Sequence, residues 1–207
     1  MPSAEHDALV AALAAAPGVT EAPTLAEQRA DYEAMLGQNP VPDDVSVVPD
    51  SVAGCALDWV SVAGDPDAPV VLYLHGGGYV IGSNVAYREF AGRLARGTGA
   101  RICVLDYRLA PEHPFPAAVD DAVAAYRWLL ERDIAPERIA IAGDSAGGGL
   151  AVALLLALRE AGVPLPACAM CLSPWTDLPC SGDSNQPGAI DDPLIADGTL
   201  EGMSAQY

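Results

Sequence analysis

From Pro69 to Leu172 the chain alternates short runs that are apolar at every position with longer amphipathic stretches, and this alternation limits the fold more than any other feature. Val70 to Leu74, Ile102 to Leu105, Ile139 to Ala142 and Ala167 to Leu172 read as strands. Val85 to Arg96, Ala117 to Glu131 and Ser145 to Ala161 read as the helices between them. Strands without a polar face must be covered on both sides, which calls for a parallel sheet wrapped by crossover helices. The expected class is α/β, with a doubly wound, mostly parallel sheet. Two earlier strands, one carrying Val45 and Val47 and the other Leu57, Trp59 and Val62, are expected to pair antiparallel around a turn at Asp50 to Gly54. Helical patterns at Ser3 to Ala15 and Thr24 to Leu36, split by Pro17-Gly18, open the chain.

Composition fits a packed protein: of 207 residues 51% are hydrophobic and only 18% charged, enough to bury a core in one domain. The 28 acidic residues face 10 basic ones, all arginine, and the resulting net charge of −18 repels nucleic acid and anionic membranes. The acidity itself reads as a solvated surface. Met1 to Pro17 contains no Lys or Arg, so the positive start of a secretory signal is missing, and the longest apolar run, Leu150 to Leu158, is too short to span a bilayer. The expected location is the cytoplasm. Five scattered cysteines, Cys55, Cys103, Cys168, Cys171 and Cys180, do not form a disulfide framework. Cys168 and Cys171 make a C-x-x-C, but inside a strand residues three apart point to opposite faces. Buried, inert thiols are expected there rather than a metal or redox site.

Two motifs carry chemistry. Gly143-Asp144-Ser145-Ala146-Gly147 is a G-x-S-x-G at the point where a strand meets a helix, and His75-Gly76-Gly77-Gly78 follows an earlier strand. A tight strand-to-helix turn holds a serine hydroxyl clear of the backbone, with glycines relieving the crowding of the bend. The helix that starts there aims its positive end at the site, and the Ala146 amide can donate to a developing oxyanion. A backbone without side chains at Gly76 and Gly77 can bring further amides to the same oxygen. Together these features predict acyl transfer through Ser145, with Gly78 and Asp144 supporting the site and His75 fixing the loop by a hydrogen bond. A phosphate-binding turn is the rival, but G-D-S-A-G-G-G lacks the G-x-G-x-x-G register and offers no lysine for a P-loop.

H-G-G-G-Y at 75 to 79, D-Y-R-L-A-P-E-H-P-F-P-A-A-V-D-D at 106 to 121, G-D-S-A-G-G at 143 to 148 and S-P-W-T-D-L at 173 to 178 resemble the bacterial hormone-sensitive-lipase family of α/β-hydrolases. The resemblance implies an α/β-hydrolase fold and hydrolysis of short- or medium-chain esters or lactones, without metal or organic cofactor. It implies Ser145 as nucleophile, with Gly76, Gly77 and Ala146 as oxyanion donors. It implies caps at residues 1–40 and 179–207 around a core at 41–178. Asp106, Tyr107, Arg108, Glu112, His113 and Asp121 fall in a family motif taken as architectural.

That family orders its triad as serine, acid, histidine, yet His6, His75 and His113 all precede Ser145. Asp191 and Asp192 follow too soon to be the acid. The triad Asp and His are therefore expected to lie outside these residues, with the last strands and helices of the fold, so the chain alone is expected to be nearly inactive. The alternative is a small-molecule-binding homologue that performs no catalysis.

Overall fold

The computed structural model describes residues 3–14, 23–62, 66–186, 188, 189, 192 and 194–207. Helices α1 (Ala4–Ala14) and α2 (Leu25–Leu36) precede a hairpin of β1 (Val45–Val52) and β2 (Cys55–Val62). Then come β3 (Val70–Leu74), α3 (Arg88–Thr98), β4 (Arg101–Leu105), α4 (Ala117–Glu131), β5 (Ile139–Asp144), α5 (Ala146–Glu160), β6 (Cys168–Leu172) and α6 (Thr199–Ser204). The six strands form one sheet in the order β1-β2-β4-β3-β5-β6. The two pairings that involve β2 are antiparallel, and β4, β3, β5 and β6 run parallel.

Alternation along the inner strands divides the core. Val70, Leu72 and Leu74 of β3, with Cys103 and Leu105 of β4 and Ile139 and Ile141 of β5, pack against α4 and α5. Val71 and Tyr73, with Ile102, Val104 and Ala142, pack on the opposite face against Ala91 and Ala95 of α3. Every residue of β3 is buried, as a strand covered on both faces requires. Alanines 118, 122 and 125 on α4 have no side chain beyond Cβ, which lets that helix lie close to the sheet.

Some boundaries differ from those expected. The β1–β2 turn is confined to Ala53 and Gly54, both at positive φ (51° and 88°), so Asp50 to Val52 belong to the strand. Helix α3 starts at Arg88 rather than Val85, because the Ser83 hydroxyl accepts the Ala86 amide at 3.1 Å and holds the preceding segment in a turn. Of the helical pattern in Leu194 to Tyr207, Thr199–Ser204 is helical, entered through Gly198 at φ 80°. The Cys168 and Cys171 thiols are not buried as expected. Cys168 is exposed and Cys171 partly so, because β6 is an edge strand and no described strand lies beyond it. No helix among the described residues is long and apolar enough to cross a membrane.

Helix α2 has no fully buried residue: Tyr32 and Leu36 pack partly buried against the core, and polar contacts add to the hold. The Arg29 guanidinium donates to Val80 O at 2.9 Å and Ala110 O at 3.0 Å, and grips both oxygens of Glu112 at 2.8 and 2.7 Å. Its N-terminus is closed by a capping box between Thr24 and Glu27.

Leu72→Ala, at a position with no exposed surface, is expected to lower the unfolding free energy by about 2–5 kcal/mol in chemical denaturation. Hydrogen bonding to Arg29 lowers the Glu112 pKa from 4.5 to about 2. A carboxylate with a depressed folded-state pKa contributes stability above its unfolded pKa and loses it as pH falls. Amide exchange in α2 should therefore quicken relative to β3 between pH 4.5 and about 2. Arg29→Ala should raise α2 exchange at neutral pH and remove that pH step.

Candidate active site

The turn from β5 into α5 places Ser145 at φ 51°, ψ −120°, a conformation that costs a residue with a side chain about 1–3 kcal/mol. Three hydrogen bonds hold it. The Ser145 amide donates to Leu172 O at 2.9 Å, and its carbonyl accepts from Trp175 N at 2.8 Å and Gly149 N at 3.0 Å. The flanking glycines are required by space: a Cβ at Gly143 would lie 2.3 Å from Gly147 O, and one at Gly147 would lie 2.0 Å from Leu74 O. The turn therefore sits directly against the end of β3. Helix α5, of 15 residues, starts at this point with its positive end beside Ser145.

The other wall of the site is the loop after β3. His75 is fully buried, and its Nδ1 donates to Gly76 O at 2.8 Å, since a carbonyl can only accept. Its ring stacks on Tyr107 with centroids 4.2 Å apart, and the Tyr107 hydroxyl donates to His75 O at 2.7 Å. Burial lowers the His75 pKa, so the ring is neutral and structural. The expectation that Gly76 donates to an oxyanion does not fit: its amide is engaged by Asp144 Oδ1 and by the Tyr87 hydroxyl, each at 3.0 Å. The amides of Gly77, Gly78 and Ala146 have no acceptor among the described residues. Gly77 and Gly78, at φ 115° and 62°, line one cavity together with Ser145.

That cavity measures about 970 Å³ and is roofed by α2 and by the segment around α6. Tyr32, Met35 and Leu36 come from α2, Phe90 from α3, and Leu194, Ile195 and Met203 from the C-terminal segment. Asp144 lies at its base with both carboxylate oxygens occupied, Oδ1 by the Tyr73 hydroxyl at 2.8 Å and Oδ2 by that of Tyr87 at 2.9 Å. Burial, reinforced by the nearby Asp144 carboxylate, pushes the Tyr73 phenol well above its ordinary pKa, so it stays a donor. The Tyr87 phenol is raised by burial and by the adjacent Tyr32 and Asp144.

No histidine is among the described residues that line this cavity. His6 and His113 are exposed elsewhere, and Asp192 spends one carboxylate oxygen on the amides of Leu194 and Ile195, at 2.8 and 3.0 Å. Asp191 lies outside the described residues. The 106–121 motif holds the scaffold. Arg108 clasps Asp121 at 2.7 Å, the Asp106 carboxylate accepts from Asn84 N at 3.2 Å, and Glu112 anchors α2. Tyr73, Tyr87, Tyr32 and Arg29 belong to none of the sequence motifs that carry chemistry. Only Tyr73 gave a signal, as the one polar tip in an otherwise aliphatic strand.

Residues 71–207 match a family model described as the α/β hydrolase fold. The chain is 49% identical to an acetyl-hydrolase of Streptomyces hygroscopicus over 76% of its own length and 52% of that protein's. It is 41% identical to an ethyl acetate hydrolase of Pseudomonas putida over 66% of its length and 44% of that protein's. The chain thus spans about half the length of the curated relatives it matches. Among solved structures, an esterase of the bacterial hormone-sensitive lipase family superposes with a TM-score of 0.92 at 46% identity, covering 100% of this chain and 69% of that one. With the family model matched over residues 71–207 and a solved relative at 46% identity of which it covers 69%, the chain belongs to the α/β-hydrolase fold family, in its bacterial hormone-sensitive-lipase branch.

Proposed function

We propose that the protein hydrolyses carboxylic esters, with Ser145 as nucleophile. The observation that carries this is the shared cavity: a serine on a strained turn faces the unengaged amides of Gly77 and Gly78 across about 970 Å³ of mostly apolar lining. The Ser145 Oγ attacks the ester carbonyl carbon and its proton passes to a base. The resulting oxyanion accepts from the amides of Gly77, Gly78 and Ala146, where neutral donors are most effective in a water-poor site. Collapse expels the alcohol with a proton and leaves an acyl-serine, which water then cleaves to the free acid. The base is not among the described residues.

The cavity is at the large end of the range for small-molecule sites, which suits esters or lactones of short and medium acids. Helix α2 and the segment around α6 act as its cap. The named activities of the acetyl-hydrolase and ethyl acetate hydrolase relatives support the same substrate class.

The reading is tested with imidazole as an added base, comparing the 207-residue chain with its Ser145→Ala variant. Release of nitrophenolate from p-nitrophenyl butyrate is expected to contain a Ser145-dependent component, and a fluorophosphonate probe should add its mass to the peptide containing Ser145. Without imidazole that component should shrink to the residue of catalysis left by a missing triad, on the order of a thousandfold above water. Equal rates and equal labelling in the two proteins would reject ester hydrolysis, and saturable ester binding without cleavage would indicate a binding protein. Gly147→Ala forces a Cβ against Leu74 O and should reduce Ser145 labelling at least as far as removing an oxyanion donor does, about a hundredfold.

A further inference from the structure

Ester cleavage makes no demand for a carboxylate between Gly143 and Ser145, yet Asp144 is built into the centre of the site. Strands β3 and β5 are neighbours with Leu74 opposite Gly143, so one more step of the ladder would set His75 against Asp144. The ladder stops there because the chain turns into α5. The Gly76 amide then needs another acceptor, and the Asp144 side chain supplies it at 3.0 Å, together with the Tyr87 hydroxyl that Asp144 itself holds in place. A carboxylate is acceptor-only and can take several donors at once. Here it takes three: the Gly76 amide, the Tyr73 hydroxyl and the Tyr87 hydroxyl.

The first glycine of the triplet has the same cause. A Cβ at residue 76 would lie 2.2 Å from Asp144 Oδ2, so glycine is needed there to admit the carboxylate. The network also reaches the cap. Tyr87 has one hydroxyl proton and gives it to Asp144, so in the 3.0 Å contact between Tyr32 and Tyr87 the donor is Tyr32 of α2.

We propose that Asp144 is the positioning residue of the glycine loop: by holding the Gly76 amide away from the cavity it turns the Gly77 and Gly78 amides toward Ser145, and through Tyr87 and Tyr32 it ties that arrangement to helix α2. The inference rests on the ester-hydrolase reading only for its kinetic consequence. Asparagine is a poor replacement for the aspartate, because it has no charge and one acceptor oxygen, and it sets an NH₂ group against either the Tyr87 hydroxyl or the Gly76 amide and the Tyr73 hydroxyl, all of which donate to the carboxylate.

The test uses the whole 207-residue chain and two readouts: amide exchange and ¹H–¹⁵N shifts at Gly76, Gly77 and Gly78, and fluorophosphonate labelling of Ser145 in imidazole across a range of probe concentrations. In Asp144→Asn, exchange at Gly76 should rise about tenfold or more, as loss of a charge-assisted hydrogen bond implies. The maximal labelling rate should fall about a hundredfold, with the half-saturating probe concentration unchanged, since an oxyanion donor acts on the reacting state. Tyr87→Phe keeps the carboxylate but removes both the second acceptor of the Gly76 amide and the link to α2, and should quicken exchange at Gly76 by a smaller factor than Asp144→Asn. A folded Asp144→Asn with wild-type behaviour at all three amides would overturn the proposal, as would equal changes in rate and half-saturation. Should Asp144→Asn not fold, Tyr73→Phe takes its place, since it strips a donor from Asp144 without touching the Gly76 amide, and wild-type exchange at Gly76, Gly77 and Gly78 in that variant would overturn the proposal. A wild-type chain that is never labelled would defeat the hydrolase reading, while the amide readout would still decide the role of Asp144.

Discussion

The site depends on the contact between the first turn of α5 and the last residues of β3. Backbone meets backbone there: any side chain at Gly147 would overlap Leu74 O and come within 2.5 Å of His75 O. This contact sets the distance between the serine turn and the glycine loop, because each is a direct continuation of one of the two elements. Gly148 and Gly149 continue the same constraint, with Pro174 and Trp175 O where their Cβ atoms would stand. The run of glycines after Ser145 is thus a packing surface, and the parallel register of β3 with β5 delivers the two loops to one end of the sheet.

Beneath the loops, polar groups are buried at a cost that their partners offset. Asp58 is fully buried and meets Arg88 at 2.7 Å and Asn84 at 3.0 Å. Asp121 is pulled to a lower pKa by Arg108 against the opposing effect of its burial. The exception is His75 Nε2, which has no partner among the described residues. Because burial keeps that ring neutral, the orphaned atom is an uncharged acceptor, far cheaper to leave unpaired than an imidazolium would be. The price is accepted where the ring's other nitrogen shapes the glycine loop.

Much of this was legible in the sequence, for identifiable reasons. The two-sided apolar strands at Val70 to Leu74 and Ile139 to Ala142 could only be inner strands of a covered sheet, and the glycines around Ser145 announced a tight turn. What escaped was whatever depended on side chains meeting from distant positions. Gly76 looked like an oxyanion donor because its partner, Asp144, lies 68 residues away. Helix α2 was expected as part of a cap, but not the contacts that dock it, which run through Tyr32 and Leu36 to the core and through Arg29 to residues more than 50 positions on. The thiols of β6 were expected to be buried, and their exposure follows from the place of that strand at the end of the described sheet.

The contact between Gly78 and Met203 joins two segments that are remote in sequence: a Cβ on the loop would lie 2.0 Å from the methionine sulfur. Neither position is free to drift alone under mutation. Enlarging residue 78 displaces the Met203 side chain from this part of the cavity, while shortening residue 203 opens a gap over the Gly78 backbone. Variation at the two sites is expected to be inherited as a pair, so that the cap and the loop evolve as one unit although the chain makes them far apart.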